Sequence, residues 1–174
     1  MSDERDVLIE GRHMRFLRRR GWEYVEHRTA PEAAMVVALT EKDEIVLAEE
    51  FRIPIDAPVI SLPAGLIGDE GPEDAIEAAR RELLEETGYA AERFVFLARG
   101  PGSAGQSSEM VSFFLAKPAF RVAEQAPHDA GKIRVHVVPV AKLPDWARAR
   151  EAEGAAVDPK IWAGLYLARA FTSR

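Results

Sequence analysis

The sequence predicts an α/β fold in which a sheet is covered by helices, and three observations lead to this prediction. Residues 33–40 form a nearly continuous apolar run, which is typical of a strand buried on both faces. Residues 73–89 carry the spacing of an amphipathic helix. Short strand-like segments lie on both sides of that helix, and helical patterns at 143–153 and 158–171 close the chain. Interleaved strands and helices of this kind favour a layered sheet.

Several segments are predicted as strands because they are short, apolar or alternating, and bounded by turn-forming residues. In chain order they cover residues 7–9, 14–19, 22–28, 33–40, 45–51, 59–62, 93–98, 110–116 and 132–140. The first three are joined by turns at Gly11 and Gly21 and precede the buried strand. Residues 33–40 and 45–51 are expected to pair as a hairpin, and residues 100–108 to form a flexible loop.

The helix at 73–89 is the element around which the chain is organised. Gly71-Pro72 is expected to open it, because a proline at the first helical position loses no needed N–H. Gly88 is expected to close it as a left-handed cap. The helix therefore has a defined start and end in the sequence.

Three glutamates of this helix are predicted to lie together. Glu82 and Glu86, four residues apart, share one stripe of the helix, and Glu85 flanks them. Their carboxylates repel one another, and over a cleft a divalent cation is the simplest compensation. Oxygen ligands of this kind suit magnesium, which binds through a few carboxylates plus substrate phosphates. The alternative is a solvated acidic helix face.

The run from Arg81 to Tyr89, RELLEETGY, separates these alternatives. It resembles the core of the Nudix box, R-E-U-x-E-E-x-G-U with U aliphatic or aromatic, and Glu73 precedes Arg81 at the distance that the longer box requires. The chain is therefore identified as a member of the Nudix hydrolase family. It departs from the box at its first position, where the family has glycine and this chain has Ile67. A two-residue insertion is accordingly expected within residues 66–72.

The resemblance implies an α/β fold of the Nudix type. This is an α/β/α sandwich with a mixed sheet over residues 33–174, preceded by an N-terminal antiparallel strand extension over residues 1–32. The family hydrolyses a nucleoside diphosphate linked to some other group, with magnesium or manganese. Arg81 and Glu73 are expected to form an ion pair that orients the loop against the helix.

The resemblance also assigns roles to individual residues. Glu82 and Glu86 are the first expected metal ligands, and Glu85 is the next ligand and a catalytic candidate. The carbonyl of Ala64 is expected to supply a further metal ligand. Glu109, which follows the flexible loop, is the expected catalytic base or late-arriving metal ligand. A solvated loop acid is the alternative for Glu109.

Three shorter motifs resemble the ADP-ribose pyrophosphatase branch of the family. They are Gly21-Trp22-Glu23, Phe51-Arg52 and Leu62-Pro63-Ala64-Gly65. They imply that Trp22 stacks on adenine, that Glu23 meets the base edge, and that Arg52 contacts phosphate, with Arg28 as a second phosphate candidate. A packed core aromatic is the alternative for Trp22. Ser61 stands where the branch usually has glutamate, so another nucleoside diphosphate sugar remains open.

Charge and composition narrow the partners. The chain has 23 basic and 29 acidic residues and a net charge of −6, which argues against a general grip on nucleic acid, although not against a local basic patch. The sequence contains no cysteine, which excludes disulfides and cysteine-bound zinc and fits a cytoplasmic protein. No stretch approaches the roughly 18 apolar residues of a membrane span, so no membrane partner is expected.

The expected function is magnesium-dependent hydrolysis of ADP-ribose to AMP and ribose 5-phosphate, with manganese as the alternative metal. The expected assembly is a homodimer in which the N-terminal extension crosses to the second subunit, so that Trp22 and Glu23 serve the partner's site. One alternative is a Nudix hydrolase of damaged nucleotides or RNA 5′ ends. The presence of Trp22-Glu23, a motif of the ADP-ribose pyrophosphatase branch, argues against this alternative. Another is a non-catalytic nucleotide-sugar sensor, which would typically have lost box glutamates.

Overall fold

A mixed β-sheet of eight strands, with helices on both faces, forms the centre of the fold. A computed structural model describes residues 5–69, 71–126 and 132–172. The strands are β1 (Asp6–Glu10), β2 (Met14–Arg19), β3 (Trp22–His27), β4 (Glu32–Leu39), β5 (Glu44–Arg52), β6 (Ala57–Ser61), β7 (Ala64–Leu66), β8 (Tyr89–Ala91), β9 (Phe94–Pro101), β10 (Met110–Ala116), β11 (Ala119–Arg121), β12 (Ile133–Pro139) and β13 (Ala156–Val157). The helices are α1 (Ala75–Thr87), α2 (Leu143–Ala152) and α3 (Lys160–Thr172). Among the described residues, no helix has the length and apolar character needed to cross a membrane.

The strand order of the large sheet is β13-β6-β5-β4-β10-β9, with β12 beside β5 and β7 beside β4. The pairs β4–β10 and β6–β13 are parallel, whereas the other pairs are antiparallel. The predicted mixed sheet is therefore confirmed. Two smaller sheets lie outside it, β1-β2-β3 and β8-β11.

Strand β4 is buried on both faces, as its apolar run predicts. On one face Ala34 and Val36 belong to a core cluster with Leu83 of α1. On the other face Val37 belongs to a second cluster with Leu165 of α3. Side chains alternate between the faces of a strand, so one apolar run serves both layers. The α/β/α sandwich is confirmed, with α1 on one face and with α2 and α3 on the other.

Strands β4 and β5 form the predicted hairpin, but they pair over only two residue pairs at its closed end. Beyond those pairs they separate, because β5 pairs with β6 and the start of β4 pairs with β7. The N–H of Val36 donates to the carbonyl of Pro63 at 2.9 Å, and the N–H of Ile67 donates to the carbonyl of Glu32 at 2.9 Å. The chain that leads into α1 is thus held by main-chain bonds inside the sheet.

Helix α1 begins later than predicted. Asp74 takes the N-cap position with an extended backbone, so the expected opening at Gly71-Pro72 is wrong. Asp74 is a residue type that favours this position. The predicted cap at the other end is confirmed, because Gly88 has a φ of 72° and its N–H donates to the carbonyl of Leu84 at 2.8 Å.

The N-terminal strands β1, β2 and β3 form an antiparallel sheet of their own, which confirms the predicted strand extension. Main-chain bonds of Val25 join it to the rest of the chain. The N–H of Val25 donates to the carbonyl of Gln106 at 2.8 Å, and the N–H of Ser108 donates to the carbonyl of Val25 at 3.1 Å. Leu17 is buried, whereas Trp22 is exposed. Residues 1–4 of the predicted extension lie outside the described residues.

Four short strands, β7, β8, β11 and β13, were not predicted. Each has only two or three residues and exists through pairing with a distant segment, so no local pattern reveals it. Strand β9 also runs on to Pro101, into the predicted loop at 100–108. That loop is correspondingly shorter than expected.

Candidate active site

The carboxylate of Glu82 lies directly against the backbone of Gly65 in β7. A Cβ atom on Gly65 would stand 2.0 Å from the carboxyl carbon of Glu82, so only glycine leaves room for this contact. Glu82 is 9% exposed, which is low for a charged side chain on a helix. Burial raises the pKa of the Glu82 carboxyl, and Arg81 opposes that shift. The contact between β7 and α1 therefore buries the carboxylate of Glu82, whose negative charge a cation would compensate.

Glu86, one turn further along α1, is fixed by the same loop. The N–H of Ala64 donates to Oε2 of Glu86 at 3.1 Å. The main chain of Glu86 is held as well, because Nε2 of Gln125 donates to its carbonyl at 2.7 Å and to the carbonyl of Ile133 at 2.9 Å. Ala64 thus touches a predicted metal ligand through its N–H, and a ligand role for its carbonyl stays a prediction. Gln125, which ties α1 to β12, was not singled out from the sequence.

The predicted ion pair between Arg81 and Glu73 is present and is bidentate. Nε and Nη2 of Arg81 donate to the two carboxylate oxygens of Glu73 at 3.0 and 3.1 Å. The guanidinium reaches further than predicted, because Nη1 donates to Glu82 at 2.7 Å and to Glu85 at 3.2 Å. The hydrogen bonds with Glu73 raise the pKa of Arg81 above its ordinary value, and the same bonds lower the pKa of Glu73. Arg81 therefore links the loop to the helix carboxylates.

The segment of residues 66–72, where the insertion is expected, contacts the guanidinium of Arg81. Nη2 of Arg81 donates to the carbonyl of Leu66 at 3.3 Å and pairs with Asp69 at 3.5 Å. Gly68 has a φ of 81°, which suits glycine in a turn. Ile67, at the position of the box glycine, packs against the core cluster beneath α1. Residue 70 lies outside the described residues.

The site carries an excess of negative charge. One guanidinium, that of Arg81, faces four carboxylates, and Glu86 lies one turn beyond Glu82. As the described side chains stand, no three His, Cys, Asp or Glu residues converge as metal ligands, and Nη1 of Arg81 bridges Glu82 and Glu85. The donor set consists of carboxylate oxygens with a net negative charge, which fits a hard divalent cation. Glu82, Glu85 and Glu86 would hold that cation.

The predicted base-binding residues Trp22 and Glu23 lie on β3, in the N-terminal sheet, and not on the sheet under α1. Trp22 is 66% exposed, so within the described chain it is not a packed core aromatic. Arg28 also belongs to that region, where Nη1 donates to the carbonyl of Gly11 at 3.1 Å and Nη2 pairs with Glu10 at 3.3 Å. Arg28 therefore holds the turn between β1 and β2.

The two remaining predicted residues lie at strand ends of the large sheet. Arg52 ends β5 and pairs with Glu50 at 3.0 Å. Glu109 directly precedes β10, and its carbonyl accepts the N–H of Gly102 at 3.1 Å. The side chain of Glu109 is partly buried, with Oε2 3.0 Å from where a Cβ on Gly102 would stand.

One charged cluster beside the edge strand β9 was not predicted from the sequence. Nε and Nη2 of Arg99 donate to the same Oε2 of Glu32 at 3.0 and 2.8 Å, and the hydroxyl of Ser112 donates to Oε1 at 2.5 Å. The hydrogen bond from Arg99 lowers the pKa of Glu32. Ser112 is buried. A serine inside the apolar strand at 110–116 was the signal that could have revealed this cluster.

The sequence profile described as the NUDIX domain matches residues 29–157, which include the loop, α1 and every strand of the large sheet. The chain belongs to the NUDIX domain family. NUDIX proteins generally use divalent metal ions, which agrees with the oxygen donor set on α1.

Similar proteins support the same placement. An ADP-ribose pyrophosphatase of Bacillus subtilis is 36% identical over 95 residues, which cover 55% of this chain and 49% of that protein. A GDP-mannose pyrophosphatase of Yersinia pestis is 30% identical over 135 residues, which cover 74% of this chain and 65% of that protein. A crystal structure of an ADP compounds hydrolase superposes with a TM-score of 0.71 at 21% identity, over 98% of this chain and 92% of that one, and shows the shared fold. The matched region spans about half or less of the length of several curated relatives.

Proposed function

We propose that this NUDIX protein hydrolyses the diphosphate of a nucleoside diphosphate sugar, with Mg²⁺ as the metal and Mn²⁺ as the alternative. ADP-ribose is the first expected substrate, with AMP and ribose 5-phosphate as products. The observation that carries the proposal is the buried carboxylate of Glu82 against Gly65, beside Glu85 and Glu86 on α1. A site with this excess of negative charge suits a diphosphate that arrives with a divalent cation.

In the proposed reaction the oxygen of water bonds to one phosphorus and the bridging P–O bond breaks. The two protons of the water pass to the phosphate products or to solvent. A divalent cation, when bound, would neutralise charge on the diphosphate and make the attacking water more acidic. Glu82, Glu85 and Glu86 would hold the cation, while the N–H of Ala64 contacts Glu86 and the guanidinium of Arg81 contacts Glu85.

Glu109 is proposed to accept the proton of the attacking water. The position of Glu109 directly before β10 supports this role. The N–H of Gly102 donates to the carbonyl of Glu109, while the side chain of Glu109 is only partly buried. Glu109→Gln is expected to lower kcat by on the order of 10²-fold with KM within a few-fold, because the amide cannot take the proton. Steady-state kinetics beside Glu124→Gln, an exposed acid paired with Arg121, make the comparison. A change of only a few-fold in both constants would return Glu109 to a solvated loop acid.

The similar proteins support a nucleoside diphosphate sugar as the substrate class, because they include an ADP-ribose pyrophosphatase and a GDP-mannose pyrophosphatase. GDP-mannose is the second candidate substrate. The Yersinia pestis relative favours it, and Ser61, at a position where the ADP-ribose branch usually has glutamate, leaves a sugar nucleotide other than ADP-ribose open. The base and the sugar are therefore what the first experiment must compare.

The experiment is a substrate panel read by inorganic phosphate after coupling to a phosphatase, which acts on the monoester products and not on the intact diphosphate. We expect phosphate release from ADP-ribose with Mg²⁺, and no AMP by chromatography when the protein is incubated with ADP-ribose and EDTA. GDP-mannose and 5′-capped RNA complete the panel, and damaged nucleoside triphosphates are followed by chromatography of the nucleoside monophosphate without the phosphatase. Failure to hydrolyse any nucleoside diphosphate sugar with either metal would overturn the proposed function.

The proposed assembly is a homodimer in which the N-terminal sheet serves the partner's site. Val7, Ile9 and Trp22 of that sheet are 51%, 66% and 66% exposed. A second copy that covers them would remove this apolar surface from water. Trp22 and Glu23 would then face the base bound by the partner subunit, which accounts for an exposed tryptophan on a sheet separate from the one under α1.

Mixing two defective chains tests this assembly. Trp22→Ala is expected to raise KM for ADP-ribose about tenfold, since an aromatic stacking contact is worth roughly 1–3 kcal/mol. Glu86→Gln chains are expected to lack turnover. If sites are shared between subunits, a mixed dimer contains one site with both residues intact, and activity at low substrate reappears after subunit exchange. A monomer by light scattering, or no recovery after confirmed exchange, would contradict the shared site.

A further inference from the structure

We propose that Arg99 binds a phosphate oxygen of the substrate and that Glu32 positions it for this contact. The inference rests on the proposed function, because it assigns a further residue to the same site. It starts from the cluster in which Arg99, on the edge strand β9, reaches across β10 to Glu32 on β4.

Arg99 lies on the face of the sheet that carries the helix carboxylates. It stands opposite Ser112 of β10, which stands opposite Ala34 of β4, which stands opposite Gly65 of β7. Side chains of directly opposite residues point to the same face of a sheet. At Gly65 that face is occupied by the carboxylate of Glu82. One row across four strands therefore joins Arg99 to the candidate metal site.

The guanidinium reaches across β10 toward β4, and Glu32 stands two residues from Ala34 along β4, beside the row. Its partner Glu32 is on β4, two strands away from β9, so the head group of Arg99 lies over β10. Strands are spaced by about 4.8 Å, so β10 and β7 are roughly 10 Å apart. A diphosphate bound at Glu82, together with its neighbouring ribose, can bridge such a distance.

Arg99 keeps one edge of its guanidinium for a ligand. The group has five N–H donors in a planar fork, and Glu32 engages Nε and Nη2 through a single oxygen. The edge formed by Nη1 and the second N–H of Nη2 points away from Glu32, and the side chain is 50% exposed. Such an edge matches two oxygens of a phosphate. Arg81, in contrast, already directs Nε, Nη1 and Nη2 to protein oxygens.

Glu32 is itself fixed in orientation. The hydroxyl of Ser112, which is 2% exposed, donates to Oε1 and leaves Oε2 for Arg99. The carbonyl of Glu32 accepts the N–H of Ile67 in the loop before α1. The residue that orients Arg99 is therefore attached to the loop that contacts the candidate metal ligands, and the two parts of the site keep a constant spacing.

Arg99→Gln tests the inference, with Arg148→Gln as the matched control. Arg148 is also an exposed arginine paired with a carboxylate, Asp145, but it lies on α2 at the opposite face of the sheet. We expect Arg99→Gln to raise KM for ADP-ribose at least about tenfold with kcat within a few-fold, as loss of a charge-assisted hydrogen bond predicts. Calorimetry with the α,β-methylene analogue of ADP-ribose should show the same loss of affinity, and Tm should change little. Arg148→Gln should match the wild type in all three measurements.

Two further variants keep the test decisive if Arg99→Gln does not fold. Arg99→Lys keeps the charge but loses the planar fork, and Glu32→Gln keeps the guanidinium but weakens its orientation, so each should raise KM and weaken the analogue by several-fold. Unchanged KM and unchanged analogue affinity, with or without a lower Tm, would make the cluster a structural ion pair and overturn the inference. A wild-type protein that hydrolyses no nucleoside diphosphate sugar would instead overturn the proposed function.

Discussion

Glu86→Gln is expected to abolish turnover while the fold persists. The carboxylate of Glu86 stands one turn from Glu82, and the N–H of Ala64 orients it. Glutamine keeps the size of the side chain but removes a negative oxygen that would bind the cation. Removal of residues that only orient metal ligands typically costs 10–100-fold, so loss of a ligand should lower kcat/KM by more than about 100-fold.

The control for this variant is Glu77→Gln. Glu77 lies on the same helix, is exposed, and pairs with Arg80 on the outer surface. Kinetics at saturating Mg²⁺, with circular dichroism and thermal melting of both variants, separate chemistry from folding. Turnover of Glu86→Gln at the wild-type rate would remove Glu86 from the list of metal ligands.

Gly65→Ala is expected to disable the site from the opposite side. The new Cβ would stand 2.0 Å from the carboxyl carbon of Glu82, so either the carboxylate or the strand must move. Overpacking of this kind typically costs about 1–3 kcal/mol of stability. We also expect a loss of more than about 100-fold in kcat/KM, because a displaced carboxylate cannot hold the cation. Gly105→Ala, where no atom lies within 4 Å of the added Cβ, is the matched control.

A double-mutant cycle identifies the clash as the cause. In Gly65→Ala combined with Glu82→Ala the new methyl group meets no carboxylate, so the free energy of unfolding should recover while activity stays lost. If Gly65→Ala loses activity yet its stability is not restored by Glu82→Ala, the contact between the two residues does not explain the defect. Activity of Gly65→Ala at the wild-type level would contradict the close packing itself.

Local spacing in the sequence was enough to predict the features of the site that lie on helix α1. The stripe shared by Glu82 and Glu86 and the Gly88 cap follow from distances of a few residues along the chain, whereas the pair between Arg81 and Glu73 was implied by the resemblance to the Nudix box. The contact of Arg81 with Glu85 is also an i,i+4 pair and was within reach of the same reasoning. These features depend little on the rest of the fold.

Features set by pairing between distant strands were not predictable from local pattern. Strand β7 pairs with β4 at the place where β4 and β5 have separated. A segment of three residues contains no pattern that predicts this separation. Glu32, Arg99 and Ser112 are brought together across β4, β9 and β10, over separations of 67 and 80 residues. The buried contact of Glu82 with Gly65 likewise depends on the pairing of β7 with β4, which places Gly65 under α1. Each of the two residues was identified from the sequence, but their contact was not.

The main-chain bonds that fill the gap between β4 and β5 have a consequence for how the protein moves. The N–H groups of Val36 and Ile67 bond across this gap, next to the loop that touches Glu82 and Glu86. Their hydrogen exchange should require disruption of the central sheet and not a local fluctuation. The wall of the site that carries Ala64 and Gly65 is then expected to be rigid on the timescale of turnover.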